Sequence, residues 1–365
     1  MTRPGSDVNG TRSTQCNAAA TMPNDFALFA ARVRSSVEER LAATLDRRIT
    51  TARRRGPDVE AVAGALSELV LRGGKRMRCV LLTAAYEAHG GEGGIEIVAP
   101  ACVALELLQA YLLSHDDWMD GDDVRRGGPS VPAMMRRRFS GARADAMSIL
   151  AGDLAAAWAR GELFEVALPS ERVVQAAAEL ARVEEDVVEG QVLDVGNGAR
   201  DLAAVEAMHV LKTSSYTVRG PVAIGARLAG AKDAEVAALT AFADPLGVAF
   251  QMRDDVLGVF GDAAIMGKPA GNDLRAGKRS AVVVEALHQG LGHDLAHVLG
   301  RPDASERDLR GAIHRLEACG IRARIESRIG VLVREAQDAL EQTKLTSAGR
   351  ALLATAVLAL TDRQI

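Results

Sequence analysis

The stretch SHDDWMDGDDVRRGGPSV, Ser114–Val131, follows an apolar run and contains five aspartates, two arginines and a Gly-Gly-Pro turn signal. On a helix, Asp116 and Asp120 share one face because they are four residues apart, and Asp117 lies about 100° away. Like charges at this spacing destabilise an isolated helix by about 0.2–0.5 kcal/mol. Mg²⁺ would relieve the repulsion, because it takes one or two carboxylates and completes its shell with water and substrate phosphates. The alternative is a solvated acidic turn.

A second acidic cluster favours the metal interpretation. Asp254 and Asp255 stand at the end of another apolar segment, in FQMRDDVLGVFGD, and Asp262 follows. Two aspartate pairs at the ends of two separate helices indicate a cavity with metal bound from both sides. Each pair could then hold Mg²⁺ against one diphosphate between them.

Basic residues stand beside glycines in several places. The chain has only six lysines, and Lys75, Lys268 and Lys278 have glycine neighbours that allow a ligand to approach the backbone. The lysine and arginines of GGKRMR could bind one phosphate, and Arg125 with Arg126 could bind another. For any single cluster the alternative is a solvated loop charge.

The hydrophobic pattern predicts one large all-α domain. From Asp25 onward apolar residues recur every three or four positions, and no alternating strand or fixed repeat is visible. Helices are expected near 76–89, 95–120, 143–166, 170–190, 202–229, 232–260, 280–290, 305–318, 320–345 and 347–361. We assign residues 25–365 to a helical bundle around a central cavity. Residues 1–24, rich in Ser, Thr, Asn and Gly, are predicted to be a disordered tail.

Composition limits the function classes. A net charge of −4 argues against nucleic-acid binding. The four cysteines are far apart, which argues against a disulfide framework or a zinc site and fits the cytoplasm. No secretory signal is expected. No segment is expected to reach the length of a transmembrane helix, since ALLATAVLAL near the end is too short to cross a bilayer, and no stable membrane insertion is therefore predicted.

A series of motifs in order makes the chain resemble the trans-isoprenyl diphosphate synthases, the polyprenyl synthetase family, from about Leu71 to Arg279. The motifs are GGKRMR, ELLQAYLLSHDDWMDGDDVRRGGPS, GQVLD, LKTSSY, FQMRDD and GKPAGNDLRAGKRS. The resemblance implies an all-α fold of the isoprenoid synthase type with a deep central cavity, a homodimer and a need for Mg²⁺. The implied reaction condenses isopentenyl diphosphate with an allylic diphosphate, as in short-chain synthases, with geranylgeranyl diphosphate ahead of farnesyl diphosphate as product.

The resemblance also implies a role for each matching residue. The metal ligands would be Asp116, Asp117, Asp120, Asp254 and Asp255. The allylic diphosphate would be held by Arg125, Lys212 and Lys268, and isopentenyl diphosphate by Lys75, Arg78, Gln109 and Arg126. Thr213 and Gln251 would line the reacting centre. In the family the proton that is lost goes to the departing diphosphate, and this chain offers no obvious dedicated base.

Chain length is expected to depend on the helix before Asp116. Leu112, Tyr111 and Leu108 precede Asp116 by four, five and eight residues, or about 6, 7.5 and 12 Å along a helix. In the resembling family, bulk at these positions forms the floor of the cavity, and a single aromatic such as Tyr111 fits a short product. Alternatively, Tyr111 only packs against a neighbouring helix, and another helix sets the floor.

Two other functions compete with the synthase. A terpene cyclase also uses an aspartate-rich helix and Mg²⁺, but it needs no isopentenyl site, so GGKRMR and the Arg125-Arg126 pair count against it. A non-catalytic partner subunit is the other candidate. It is favoured by Gly258, which stands where the family usually has a third aspartate, although Asp262 could assist through water.

Overall fold

Helices make up nearly all of the computed structural model, which describes residues 22–261 and 271–361. The first half contains α1 (Met22–Arg55), α2 (Pro57–Leu71), α3 (Met77–Ala88), α4 (Gly94–Asp120), α5 (Val131–Arg138), α6 (Ala142–Leu163) and α7 (Ser170–Val195). Between α4 and α5 lies a small hairpin of β1 (Val124–Arg125) and β2 (Gly128–Pro129).

The second half is also helical. Its elements are α8 (Leu202–His209), a π-helical segment (Val210–Arg219), α9 (Gly220–Ala229), α10 (Asp233–Phe260), α11 (Asn272–Ala276), α12 (Ala281–His288), α13 (Gly292–Leu295), α14 (Glu306–Ala318), α15 (Ile321–Glu341) and α16 (Ser347–Thr361). The predicted all-α fold is confirmed. Helix α1 begins at Met22, slightly before the expected domain start, and the tail prediction falls mainly on residues outside the described ranges.

Two hydrophobic cores are joined by α10. The larger core packs α1 to α4 with α6, α7 and α9, and it includes Phe242 and Leu246 from the first part of α10. The smaller core packs α12, α14 and α15 on the second part of α10, around Met252 and Val256. Because one continuous helix contributes to both cores, the two halves of the bundle are held in a defined relation across the space between α4 and α10.

Helix α4 corrects one expectation about membranes. Gly94–Asp120 has 27 residues and a mean hydropathy of 1.7 in its most apolar window, so by length and composition it could cross a bilayer. The expectation that no segment reaches this length was therefore wrong. In the structure 72% of that window is buried inside the protein, as in the core helix of a bundle. A helix that is apolar on several sides packs against several neighbouring helices at once.

The predicted helix at 202–229 is interrupted by a wider turn. In the π segment the Gly220 N–H pairs with the carbonyl of Ser215, five residues back. Pro221 stands in the first turn of the next regular helix and has no N–H to donate. π-Helical backbone occurs often at functional sites, and this segment carries Lys212 and Thr213.

Candidate active site

The first aspartate cluster lies at the carboxyl end of α4, where the helix dipole disfavours negative charge. Gly121 ends the helix in a left-handed conformation with φ of 69°. Asp116 and Asp120 are about a quarter exposed, whereas the side chain of Asp117 is fully buried. The sequence-based prediction that these carboxylates gather at one helix end therefore agrees with the geometry.

Asp117 is oriented by the hairpin that follows it. Arg125 donates from Nε to Asp117 Oδ1 at 2.7 Å, and its Nη2 contacts the same oxygen. Asp117 Oδ2 is buried and has no hydrogen-bond partner among the described residues. Burial raises the pKa of Asp117 to about 6, although Arg125 opposes the shift. A buried carboxylate oxygen without a donor is a position that a cation could satisfy.

A lysine and a glutamine side chain face the carboxylate of Asp116. Lys212 Nζ lies 3.5 Å from Asp116 Oδ1 and 2.5 Å from Asp194 Oδ2. Gln191 Nε2 lies 3.4 Å from the same Asp116 oxygen. Burial lowers the pKa of Lys212, but Asp116 and Asp194 outweigh it and the net shift is upward. The ammonium is therefore charged at neutral pH and faces the first aspartate cluster.

Lys278 connects the two sides of the site. Its Nζ lies 2.5 Å from Asp120 Oδ2, although the two residues are far apart in sequence. Burial opposes the charge on Lys278, but the bond to Asp120 raises its pKa well above the usual range. A lysine from the segment before α12 is thus held at the metal motif of α4.

The two aspartates of the second cluster, Asp254 and Asp255, lie in different environments. Asp255 is 5% exposed and accepts hydrogen bonds from the Ala281 N–H at 2.8 Å and from Gln251 Nε2 at 3.1 Å. Burial raises its pKa to about 6. Asp254 is only half-buried. Both oxygens of Asp255 therefore accept hydrogen bonds from the protein itself. This suits a residue that orients the cluster better than a metal ligand open to solvent.

The predicted reacting-centre residues form a short chain of hydrogen bonds. Thr213 Oγ1 donates to Gln251 Oε1 at 3.0 Å, and Gln251 in turn donates to Asp255. His209 lies at the end of this chain, with Nε2 3.6 Å from Asp255 Oδ2. Burial lowers the pKa of His209 to about 4, so its imidazole is neutral at neutral pH. The π segment and α10 are thus joined at the site.

The GGKRMR loop gives its three cationic residues different positions. Lys75 is exposed, and Arg78 donates to Thr217 Oγ1 at 3.1 Å and stacks 4.4 Å over the Tyr216 ring. Arg76 is buried and pairs with Glu106 of α4, with a further bond to the Val70 carbonyl. Of these three residues, Arg76 is therefore the buried one, and its ion pair with Glu106 joins the loop to α4.

The hairpin explains the Arg-Arg-Gly-Gly-Pro order. Arg126 and Gly127 form its two-residue turn with φ of 52° and 70°, the left-handed values that such a turn requires. Arg126 Nη2 donates to Gln109 Oε1 at 2.9 Å, and Arg72 bonds to the carbonyls of Arg125 and Pro129. The two arginines consequently point to different partners.

Four arginines and Glu106 form one electrostatic cluster centred on Arg126. Burial lowers the pKa of Arg126, and the neighbouring Arg76, Arg78 and Arg125 lower it further, whereas Glu106 opposes the shift. Such a concentration of guanidinium groups is typical of a site for a multiply charged anion. Gln109, one helical turn after Glu106, lies on the same face of α4.

A cavity of about 760 Å³ lies between α4, α7, the π segment and α10. Tyr111 and Leu112 belong to its wall, together with Asp116, Arg125, Lys212, Thr213 and Gln251. Leu108 does not share this position: it is 1% exposed and packs in the larger core beneath the wall. Val188 and Val192 of α7 give the wall an apolar surface.

The environment of Gly258 differs from what the motif alone suggests. A Cβ at Gly258 would lie 2.2 Å from Asp273 Oδ2, so the carboxylate of Asp273 already fills that space. A third aspartate at position 258 would require Asp273 to move. Lys268 and Asp262, the two other predicted participants on this side, lie outside the described residues.

Some site residues escaped the sequence-based assignment. Gln191 lines the 760 Å³ cavity, Asp194 lines a neighbouring cavity of about 470 Å³, and His209 contacts Asp255, whereas Lys278, which lines both cavities, was noted as a lysine beside glycine but given no role. Gln191 and Asp194 belong to GQVLD, and Lys278 stands in GKRS, so motifs already recognised contained three of the four. Within the described ranges, no three His, Cys, Asp or Glu side chains are arranged to hold a metal ion by themselves.

The chain matches the sequence model of a known protein family. This family model, described as polyprenyl synthetase, matches residues 59–316. Geranylgeranyl diphosphate synthase of Methanosarcina mazei is 34% identical over 69% of this chain and 74% of that protein. A short chain isoprenyl diphosphate synthase of Methanothermobacter thermautotrophicus is 33% identical over 80% of this chain and 88% of that protein.

Solved structures agree in fold. Geranylgeranyl pyrophosphate synthase from Corynebacterium glutamicum, complexed with isoprenyl diphosphate and magnesium, superposes with a TM-score of 0.84 at 31% identity, covering 91% of this chain and 99% of that one. Polyprenyl synthase from Caulobacter crescentus, complexed with calcium and isoprenyl diphosphate, gives a TM-score of 0.73 at 27% identity, covering 92% and 98%.

Proposed function

The chain belongs to the polyprenyl synthetase family, and from that premise we propose that it condenses isopentenyl diphosphate with an allylic diphosphate. The product is a short-chain all-trans prenyl diphosphate, with geranylgeranyl diphosphate as the main one. The observation that carries the proposal is a cavity whose wall combines Asp116 and the cations Arg125, Lys212 and Lys278 with apolar side chains of α4 and α7. The enzyme is a trans-prenyltransferase.

A divalent metal fits the acidic side chains. Asp116 and Asp120 offer partly exposed oxygens, and Asp117 offers a buried oxygen without a donor. Oxygen donors suit a hard cation, and Mg²⁺ needs few protein ligands when a diphosphate supplies the others. We therefore assign Mg²⁺ to Asp116, Asp117, Asp120 and Asp254, with Asp255 orienting the second cluster.

Two separate groups of cations would hold the two substrates. Arg125, Lys212 and Lys268 are assigned to the allylic diphosphate, because Arg125 and Lys212 flank Asp116 in the cavity. Lys75, Arg78, Arg126 and Gln109 are assigned to isopentenyl diphosphate, because they gather around the GGKRMR loop and the hairpin. Each diphosphate therefore meets its own set of donors.

The proposed reaction breaks the allylic carbon–oxygen bond and forms a new carbon–carbon bond. A bound divalent metal supplies charge neutralisation to the leaving diphosphate. Lys212 and Arg125 stabilise the same developing negative charge, while the Thr213 and Gln251 oxygens face the positive carbon skeleton. The double bond of isopentenyl diphosphate then attacks, and the proton released passes to the departing diphosphate. Burial lowers the pKa of His209 to about 4, which makes its imidazole a weak proton acceptor and fits the lack of a dedicated base.

The competing functions have less support. The named relatives are synthases, and the arginine cluster around Glu106 is an anion site that a cyclase does not need. The proposal that Gly258 marks a non-catalytic subunit weakens because Asp273 occupies its place. Farnesyl diphosphate remains the alternative product.

We also propose that the protein is a homodimer in the cytoplasm. Leu150 and Phe164 on or next to α6, and Val174 and Val188 on α7, are between 47% and 61% exposed, a concentration of apolar surface that a second copy could cover. Analytical ultracentrifugation of the purified protein checks this, and a single monomeric species at micromolar concentration would contradict it.

The central experiment is an elongation assay. Purified protein is incubated with Mg²⁺, isopentenyl diphosphate and each of dimethylallyl, geranyl and farnesyl diphosphate, and the products are separated by chromatography. We expect isopentenyl diphosphate to be consumed and geranylgeranyl diphosphate to accumulate, with no turnover after chelation of the metal. A hydrocarbon or alcohol formed without consumption of isopentenyl diphosphate would indicate a cyclase, and no turnover would indicate a non-catalytic subunit.

A further inference from the structure

We propose that a contact between His115 and Gly152 controls product length by holding the Tyr111 ring in the cavity wall. The proposal rests on the proposed function and on the sequence-based expectation that Tyr111 limits the growing hydrocarbon tail. It adds two positioning residues, one on α4 and one on α6, that act on the product through the Tyr111 ring. His115 adjoins the metal motif in sequence, but its side chain is directed to α6 and to Tyr111.

The first step is the contact between the two rings. Tyr111 and His115 are four residues apart on α4, so their side chains meet on one face. Their ring centroids lie 4.9 Å apart at an interplanar angle of 81°, which is an edge-to-face arrangement. Such pairs have a preferred geometry and are stabilising beyond simple burial. The orientation of the Tyr111 ring therefore depends on where His115 stands.

The second step is the attachment of His115 to α6. His115 Nε2 lies 2.9 Å from the carbonyl oxygen of Ile149, so this nitrogen carries the proton and donates it. The same nitrogen lies 3.8 Å from Asp153 Oδ1. The imidazole is thus held by the backbone of a neighbouring helix, and rotation about its short side chain would break this hydrogen bond.

The third step is the space that Gly152 provides. A Cβ at position 152 would lie 2.2 Å from His115 Nε2 and 2.3 Å from His115 Cδ2. These distances are far inside van der Waals contact, and an imidazole ring cannot bend away as the tip of a long side chain can. Only glycine at this place on α6 lets His115 reach Ile149 and remain beside Tyr111.

The consequence concerns the tail of the product. Tyr111 and His115 both belong to the wall of the 760 Å³ cavity, with Leu112 beside them. A growing tail that presses on Tyr111 meets a ring supported from behind by His115 and, through it, by α6. Without that support the ring can turn aside, and the tail can extend by at least one further isoprene unit.

The test compares product distributions, which do not depend on the overall rate. His115→Ala, Gly152→Ala and the double variant are assayed with Mg²⁺, isopentenyl diphosphate and dimethylallyl diphosphate, and the chain lengths are resolved by chromatography. Gly161→Ala is the matched control, because it makes the same change in the same helix. Its Cβ would lie 3.6 Å from Arg48 Nη2, an ordinary contact.

We expect His115→Ala to move the products toward longer chains, and Gly152→Ala to shift the distribution in the parent protein. In the His115→Ala background, Gly152→Ala should change nothing further, because the ring with which the methyl group collides is gone. Gly161→Ala should leave the distribution as it is. Unchanged or shorter products from His115→Ala, or equal shifts from Gly152→Ala in both backgrounds, would overturn the proposal.

A fifth variant separates this inference from the function on which it rests. Tyr111→Ala removes the ring itself and should lengthen the product whether or not His115 supports it. If Tyr111→Ala lengthens the product and His115→Ala does not, the supporting contact is refuted and Tyr111 remains the limit. If Tyr111→Ala leaves chain length unchanged, the limit lies elsewhere and both ideas fail together.

Discussion

Asp116, Asp117 and Asp120 occupy a place that is unfavourable for stability. They repel one another, they lie at the negative end of α4, and Asp117 is buried so that its pKa rises to about 6. Arg125 and Lys278 offset part of this cost by direct contact. A stable helix end would carry basic residues instead, so the arrangement indicates selection for ligand binding over stability.

At this scale the prediction concerns Asp116. Asp116→Ala should lower kcat/KM by at least about 10²-fold, because it removes a proposed metal ligand that also faces Lys212. The measurement is elongation of farnesyl diphosphate at saturating Mg²⁺. Asp123→Ala is the control, since Asp123 is largely exposed and pairs only with surface Arg136 among the contacts described. Near-normal turnover of Asp116→Ala would refute the metal assignment.

At the scale of elements, close packing between helices positions the catalytic side chains. A Cβ at Gly190 of α7 would lie 2.3 Å from the backbone nitrogen of Lys212, and a Cβ at Gly247 of α10 would lie 2.3 Å from Ser214 Oγ. Both neighbours belong to the π segment. Glycines therefore let α7 and α10 pack directly on the segment that presents Lys212 and Thr213.

Gly247→Ala should disturb that packing. We expect a loss of about 1–3 kcal/mol in the free energy of unfolding from overpacking. We also expect a fall in kcat of up to about 10²-fold, because a small displacement of Thr213 and Lys212 misaligns the reacting groups. Denaturant melts and steady-state kinetics measure the two effects.

Gly311→Ala is the matched control for that change. Gly311 is exposed on the outer face of α14 with no atom within 4 Å of the added Cβ, so the substitution should stabilise the helix by about 0.5–1 kcal/mol and leave kcat unchanged. Equal kinetic effects from Gly247→Ala and Gly311→Ala would show that the close approach to Ser214 does not matter.

At the scale of the molecule, distant segments share one network of charge. Glu106 of α4 pairs with Arg76 of the GGKRMR loop and acts on Arg126 of the hairpin, while Gln109 on the same face bonds to Arg126. The proposed isopentenyl site is thus assembled from three parts of the chain around one buried carboxylate. Its geometry depends on the tertiary packing of α3 and the hairpin against α4.

Glu106→Gln should therefore raise the KM for isopentenyl diphosphate at least about tenfold, with a smaller change in the KM for the allylic substrate. The reason is that Arg76 loses a buried counter-ion and the loop carrying Lys75 and Arg78 shifts. Removing one partner of a buried pair also costs about 3–5 kcal/mol of stability.

Glu179→Gln provides a control for stability alone. Glu179 is buried to a similar degree and pairs with Arg227 at 3.0 Å, on the α7–α9 side of the bundle. Thermal melts should show destabilisation in both variants, whereas only Glu106→Gln should change the KM for isopentenyl diphosphate. A parallel rise in that KM for Glu179→Gln would mean that general loss of stability explains the effect.

The sequence by itself determined the all-α class, the approximate helix bounds and the two aspartate clusters. These follow from periodicity and from motifs that are contiguous in the chain, so local physical chemistry is enough to predict them. The π segment was not predicted, because its backbone packs closely on α7 at Gly190 and on α10 at Gly247, and such contacts between distant segments are not visible in the local sequence.

Only the tertiary structure decided which charges meet. It brought Lys278 to Asp120, turned Arg76 inward to Glu106, directed Asp255 to the Ala281 N–H of α12 and placed Asp273 in the space at Gly258. It also buried Leu108 beneath the wall while leaving Tyr111 in it. Such pairings join residues far apart in sequence. Their partners follow from helix packing, which no single stretch of sequence contains.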